Sequence, residues 1–84
     1  MHELSIVMAI VESVEEEIAA YPGAAVRRVV IEIGELSGVA AEALQFSWSR
    51  ATEDTALAGA LLQIEPGAHP RDLILRSIEV AADG

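Results

Sequence analysis

Val26-Arg27-Arg28-Val29-Val30-Ile31-Glu32-Ile33 is the stretch whose reading decides the fold. Successive side chains of a strand point to opposite sides. Val29, Ile31 and Ile33 therefore share one side, and Arg28, Val30 and Glu32 share the other. The first side is wholly apolar and the second is mixed. That pattern fits a strand whose sheet has one face laid on a helix layer.

The chain before it reads as an amphipathic helix over residues 4–20. Val7, Ile10, Val11, Val14 and Ile18 recur at the three- and four-residue spacing of one helical face. Glu12, Glu15, Glu16 and Glu17 supply the polar face. Their spacing does not recommend a carboxylate metal site, so they read as a solvated surface. Glu3 near the helix start suits the positive end of the helix dipole. Tyr21-Pro22-Gly23 ends the helix, since Pro cannot continue it and Gly tolerates the turn.

After the strand comes Gly34-Glu35-Leu36-Ser37-Gly38. It has neither the spacing nor the Lys of a phosphate-binding loop. Its two glycines lie outside any apolar 20-mer, so they are not a membrane packing motif. It reads as an irregular exit from the strand. Residues 40–53 follow as a second helix, with Leu44, Trp48 and Ala51 as its apolar stripe and Phe46 and Ala43 to one side. Trp48 is expected in the core, and residues 52–55 in a turn.

Residues 56–65 then read as a strand. Ala58, Ala60, Leu62 and Ile64 fall on one face, Leu57, Gly59, Leu61 and Gln63 on the other, and Gly59 marks a bulge or a close backbone approach. Pro66-Gly67-Ala68-His69-Pro70-Arg71-Asp72 is a loop bounded by Pro and rich in turn formers. Residues 73–80 alternate again, and 81–84 form a loose tail. The order is α-β-α-β-β. The expected fold class is α/β (α+β), a single domain with two helices packed on one face of a three-stranded sheet. The last two strands are expected to pair antiparallel as a hairpin.

Composition narrows the function. The net charge is −9, from 5 basic and 14 acidic residues. Such a surface repels phosphate backbones and anionic lipid, so nucleic acid and membrane are poor partners. Aromatic residues make up 4% of the chain, so Ile, Leu, Val and Ala must fill the core. There is no Cys, hence no disulfide and no thiolate metal site. This fits a cytoplasmic location. The start has no basic segment before its apolar stretch, so it does not read as a signal peptide.

Met1-His2-Glu3 carries the one metal-binding pattern. A free amine, a backbone amide and an imidazole lie within two residues. Such nitrogen-rich donors suit Ni(II) or Cu(II) better than Mg or Ca. The plain alternative is a solvated His at a chain terminus.

Several stretches resemble one family in register. They are Met1-His2-Glu3-Leu4-Ser5-Ile6, the run from Val26 through Ile33 to Gly34-Glu35-Leu36-Ser37-Gly38-Val39, Glu42-Ala43-Leu44-Gln45-Phe46, Thr55 with Gly59-Ala60 and Ile64, and Ser77-Ile78-Glu79-Val80. Together they resemble the HypA/HybF nickel metallochaperones of hydrogenase maturation. The resemblance implies a nickel-binding domain with His2 as a ligand and Glu3 functionally important, and the residues themselves add the Met1 amine as a further donor. It also implies a zinc domain with paired CxxC motifs inserted between the last two strands. Here residues 66–72 form a short loop in that place and Cys is absent, so zinc is not expected.

The reading that follows is a nickel-binding module that holds Ni(II) at its N-terminus for transfer to a [NiFe] hydrogenase. The implied partners are a HypB-like maturation GTPase and the hydrogenase large subunit. The alternative is a metal-free interaction module that docks one of those partners. An enzyme is not expected, because no Ser-His-Asp constellation, P-loop or dinucleotide fingerprint is present. His69, the second His, lies in a Pro-flanked loop and is expected to face solvent.

Overall fold

A computed structural model describes residues 3–82. The elements are α1 (Glu3–Ile18), β1 (Ala24–Ile33), α2 (Ala41–Thr52), β2 (Leu61–Pro66) and β3 (Leu73–Ala82). The α-β-α-β-β order and the α+β class are as the sequence predicts.

The apolar stripe of α1 is the buried one: Val7, Ile10, Val11 and Val14 are its buried residues. Removing a side chain of this size from water stabilises by roughly 1.5–3 kcal/mol. The helix stops two residues before the expected end. The Tyr21 N–H donates to the Ile18 carbonyl at 2.9 Å, and Gly23 takes a φ of +88° before β1 begins.

The sheet order is β2-β1-β3. β1 pairs parallel with β2 and antiparallel with β3. The expected hairpin between the last two strands does not form, because β1 lies between them. The physical reason is that β1 is apolar enough to be central. Val29 and Ile31 are buried against the helices, and Val30 is buried on the other face. In register, Val29 stands between Leu62 and Ile78, and Ile31 between Ile64 and Leu75. The helices α1 and α2 contribute to the same core cluster as Val29, Ile31 and Leu62. On the opposite face Arg28 donates to Gln63 at 2.7 Å and pairs with Glu79, while Arg76 pairs with Glu32.

The loop from β2 to β3 therefore wraps the end of β1. The Gly67 N–H donates to the Ile33 carbonyl at 3.0 Å, and the Gly34 N–H to the Asp72 carbonyl at 2.8 Å.

The second expected strand is largely a correction. Residues 56–60 are turns, and extended pairing begins only at Leu61. The N–H of Ala58 donates to Thr55 O, and that of Ala60 to Leu57 O. Gly59, with a φ of +84°, serves a turn and not a bulge. Leu57 is fully buried in the same core cluster as Ala60 and Leu62, from which alternation would separate it. A turn can bring to one side residues that alternation would place on opposite faces. Thr52 is likewise helical and buried, with its hydroxyl donating to the Trp48 carbonyl at 2.8 Å. A Thr at a helix end can bury its oxygen by bonding back one turn. At the far end, Ala81 and Ala82 belong to β3 and not to a tail.

Candidate metal site

Glu3 opens α1, where the helix dipole favours a carboxylate. Its carboxyl is held below its ordinary value. The positive amino terminus is the largest cause, and backbone N–H groups of Glu3 and Ala40 add to it. Ala40 is the N-cap residue just before α2. Ile6, one turn on from Glu3, and Val39 both pack on the core cluster. Met1 and His2, the other two expected donors, lie outside the described residues.

His69 is exposed, as expected. Its N–H donates to Asp72 Oδ2 at 3.0 Å, and the Asp72 N–H donates back to its carbonyl at 3.1 Å. These bonds hold the loop; they do not gather ligands around the imidazole. Among the described residues no group of three or more His, Cys, Asp or Glu could hold a metal ion. The acidic face of α1 accordingly makes no metal cluster, and Glu15 instead reaches the Ala56 N–H at 3.4 Å.

Two polar contacts of α2 were not legible beforehand. Gln45 Nε2 donates to the Leu62 carbonyl and Trp48 Nε1 to the Ala60 carbonyl, both at 2.8 Å. Nothing in the hydropathy pattern announces them. Among the described residues no helix is long and apolar enough to cross a membrane.

Residues 1–69, from the donor-bearing start through α1, β1, α2 and β2 into the loop, match the family model "Hydrogenase/urease nickel incorporation, metallochaperone, hypA". The match places the chain in a family of metallochaperones. The chain belongs to the HypA family. A hydrogenase maturation factor HypA of Geobacter metallireducens is 45% identical over 77% of this chain and 56% of its own length. That of Geotalea daltonii is 46% identical over 77% of this chain and 56% of its own length. HypA 1 of Bradyrhizobium diazoefficiens is 37% identical over 100% of this chain and 76% of its own length. The chain therefore spans little more than half the length of several curated relatives it matches.

Proposed function

We propose that this chain is the nickel-holding module of a hydrogenase-maturation metallochaperone, with Ni(II) as its cargo. The observation that carries the proposal is the family match, which includes Met1-His2-Glu3 at the head of α1. His2 supplies the imidazole, and the Met1 amine and nearby backbone amides supply further nitrogens, a donor set suited to Ni(II). Glu3, which opens α1, orients the terminus or meets the acceptor protein. The metal is held and released without chemical change.

The module takes in residues 1–84 as one domain, with residues 66–72 standing where the family resemblance places a zinc domain. Without a thiolate the chain carries no structural zinc. Its partners are a HypB-like GTPase and a hydrogenase large subunit, and it acts in the cytoplasm.

A calorimetric Ni(II) titration of the untagged chain tests this. One specific site, lost in His2→Ala, is expected. If native chain and variant take up nickel equally, the terminus is not the site, and a metal-free docking module becomes the better reading.

A further inference from the structure

The two outer strands of the sheet are finished differently. At β2, α2 closes the outer edge through Gln45 to Leu62 and Trp48 to Ala60. At β3, the other outer strand, no neighbouring element provides such a clasp among the described residues. β3 is 10 residues long. An open row of N–H and C=O groups of that length is a template for further pairing.

Beside this edge lie two apolar grooves between α1 and β3. One, of about 500 Å³, is lined by Ile18, Tyr21, Leu75, Ile78 and Val80 among others. The second, of about 220 Å³, is lined by Ile6, Ile10, Leu73 and Leu75 among others. Leu73, Ile74 and Val80 are 44%, 44% and 47% exposed. A strand edge with apolar hollows beside it can accept both the backbone and the side chains of an added strand.

The side chains of β3 say which strand. Ser77 pairs with Val30 and Leu75 with Ile31, so Arg76 is an extra, bulged residue. With Arg76 and Ser77 taken as one step, β3 is self-complementary about Ile78. Leu75 and Val80 lie equally far on either side of Ile78, and both line the larger groove. The Arg76–Ser77 step and Glu79 also lie equally far from Ile78. Arg76 and Glu79 share the face away from the helices, where they meet Glu32 and Arg28.

We infer that β3 is a homotypic interface, on which a second copy of this chain adds its own β3 antiparallel about a two-fold axis at Ile78. The two three-stranded sheets then run on as one. Leu75 faces Val80 of the second copy over the grooves, apolar on apolar. Arg76 faces Glu79 of the second copy on the open side. Each contact occurs twice.

Charge favours this occupant and this position. The chain carries a net charge of −9, which opposes self-association over most of its surface. Residues 73–82 hold only Arg76 and Glu79 as charged groups and are neutral together. Two copies can therefore meet along β3 without setting like charges opposite each other. Ile6, near the start of α1, shares a groove with Leu73. Antiparallel pairing thus sends the starts of the two α1 helices to opposite ends of the joined sheet. The inference does not depend on what those helix starts bind.

Sedimentation equilibrium of the untagged chain over a wide concentration range tests it. A monomer–dimer equilibrium is expected. Arg76→Glu and Glu79→Arg each set like charges opposite one another twice and should raise the dissociation constant roughly tenfold. The double variant R76E/E79R restores the opposition of charges and should restore the dimer. Both positions also lose a partner within the chain, so the variants are compared only where their circular dichroism is native. Ile78→Cys gives a second readout, because the chain has no other Cys. Mild oxidation should trap a disulfide-linked dimer across the axis. A monomer at every concentration overturns the inference. So does a dimer that neither charge reversal weakens and that Ile78→Cys does not trap.

Discussion

The N–H of Gly34 donates to the carbonyl oxygen of Asp72 at 2.8 Å, and this bond seats the loop after β2 on the end of β1. The Leu36 N–H reaches the Pro70 carbonyl just beyond it. A Cβ at position 34 would stand 2.3 Å from the carbonyl oxygens of both His69 and Pro70. These are backbone atoms and cannot rotate aside. Gly34→Ala should destabilise the protein by roughly 2–4 kcal/mol, because the loop must lift or β1 must shift. Gly38 has a φ of +81° but open space around it, so Gly38→Ala should cost only about 1–2 kcal/mol. Urea denaturation of the two variants orders them. Equal losses would show that the loop does not rest on Gly34.

Trp48 serves the core with its ring and β2 with its nitrogen. Trp48→Phe keeps most of the apolar ring but removes the donor to the Ala60 carbonyl. A loss of about 1–3 kcal/mol is expected, the cost of leaving a buried acceptor unpaired. A melting temperature equal to that of the native chain would mean that water reaches this carbonyl.

Val14 is fully buried in the middle of the α1 stripe. Val14→Asp places a charge there without a partner, and a loss exceeding roughly 4 kcal/mol is expected, enough to unfold a domain of this size. Glu16, on the exposed face, is the control. Glu16→Ala should change stability by less than about 0.5 kcal/mol. Far-UV circular dichroism separates the two outcomes. A folded Val14→Asp would place the core elsewhere.

The nickel proposal separates the donors. A short extension before Met1 removes the free amine but keeps the imidazole, and should weaken Ni(II) binding strongly. A tag after Gly84 should leave it intact. Elemental analysis of the purified chain should find no stoichiometric zinc. Nickel held as tightly by the extended protein as by the native one would rule out the amine as a ligand.

The first helix and β1 were legible because each keeps one period over most of its length: Val7, Ile10, Val11 and Val14 of the helix stripe and Val29 and Ile31 of the strand are buried, while Ile18 and Ile33 at the ends are half-buried and Val30, on the strand's mixed face, is buried as well. Strand partnership was not legible. A loop of seven residues suits a hairpin, and alternation in a strand does not say which neighbour it takes. The choice falls to β1, whose Val29, Val30 and Ile31 require cover on both faces and both edges. Residues 56–60 misled for a related reason. Small and apolar residues in sequence mimic a strand, while turn bonds among Thr55, Leu57 and Ala60 set the local path. At the candidate metal site, the residue types suggest donors, but only Glu3 of the three lies within the described residues.

The central place of β1 also orders events in time. Its parallel partner β2 follows after a single helix, whereas its antiparallel partner β3 comes later still, with Ala24 opposite Ala82. Contacts between such distant residues form late, because the loop between them must be closed first. On the ribosome, then, β1 has one side bare until residues 73–82 emerge. A nascent chain stalled before β3 would present that side to its neighbours, and such transiently exposed edges are where aggregation begins. The arrival of β3 thus closes the interval in which that edge is bare.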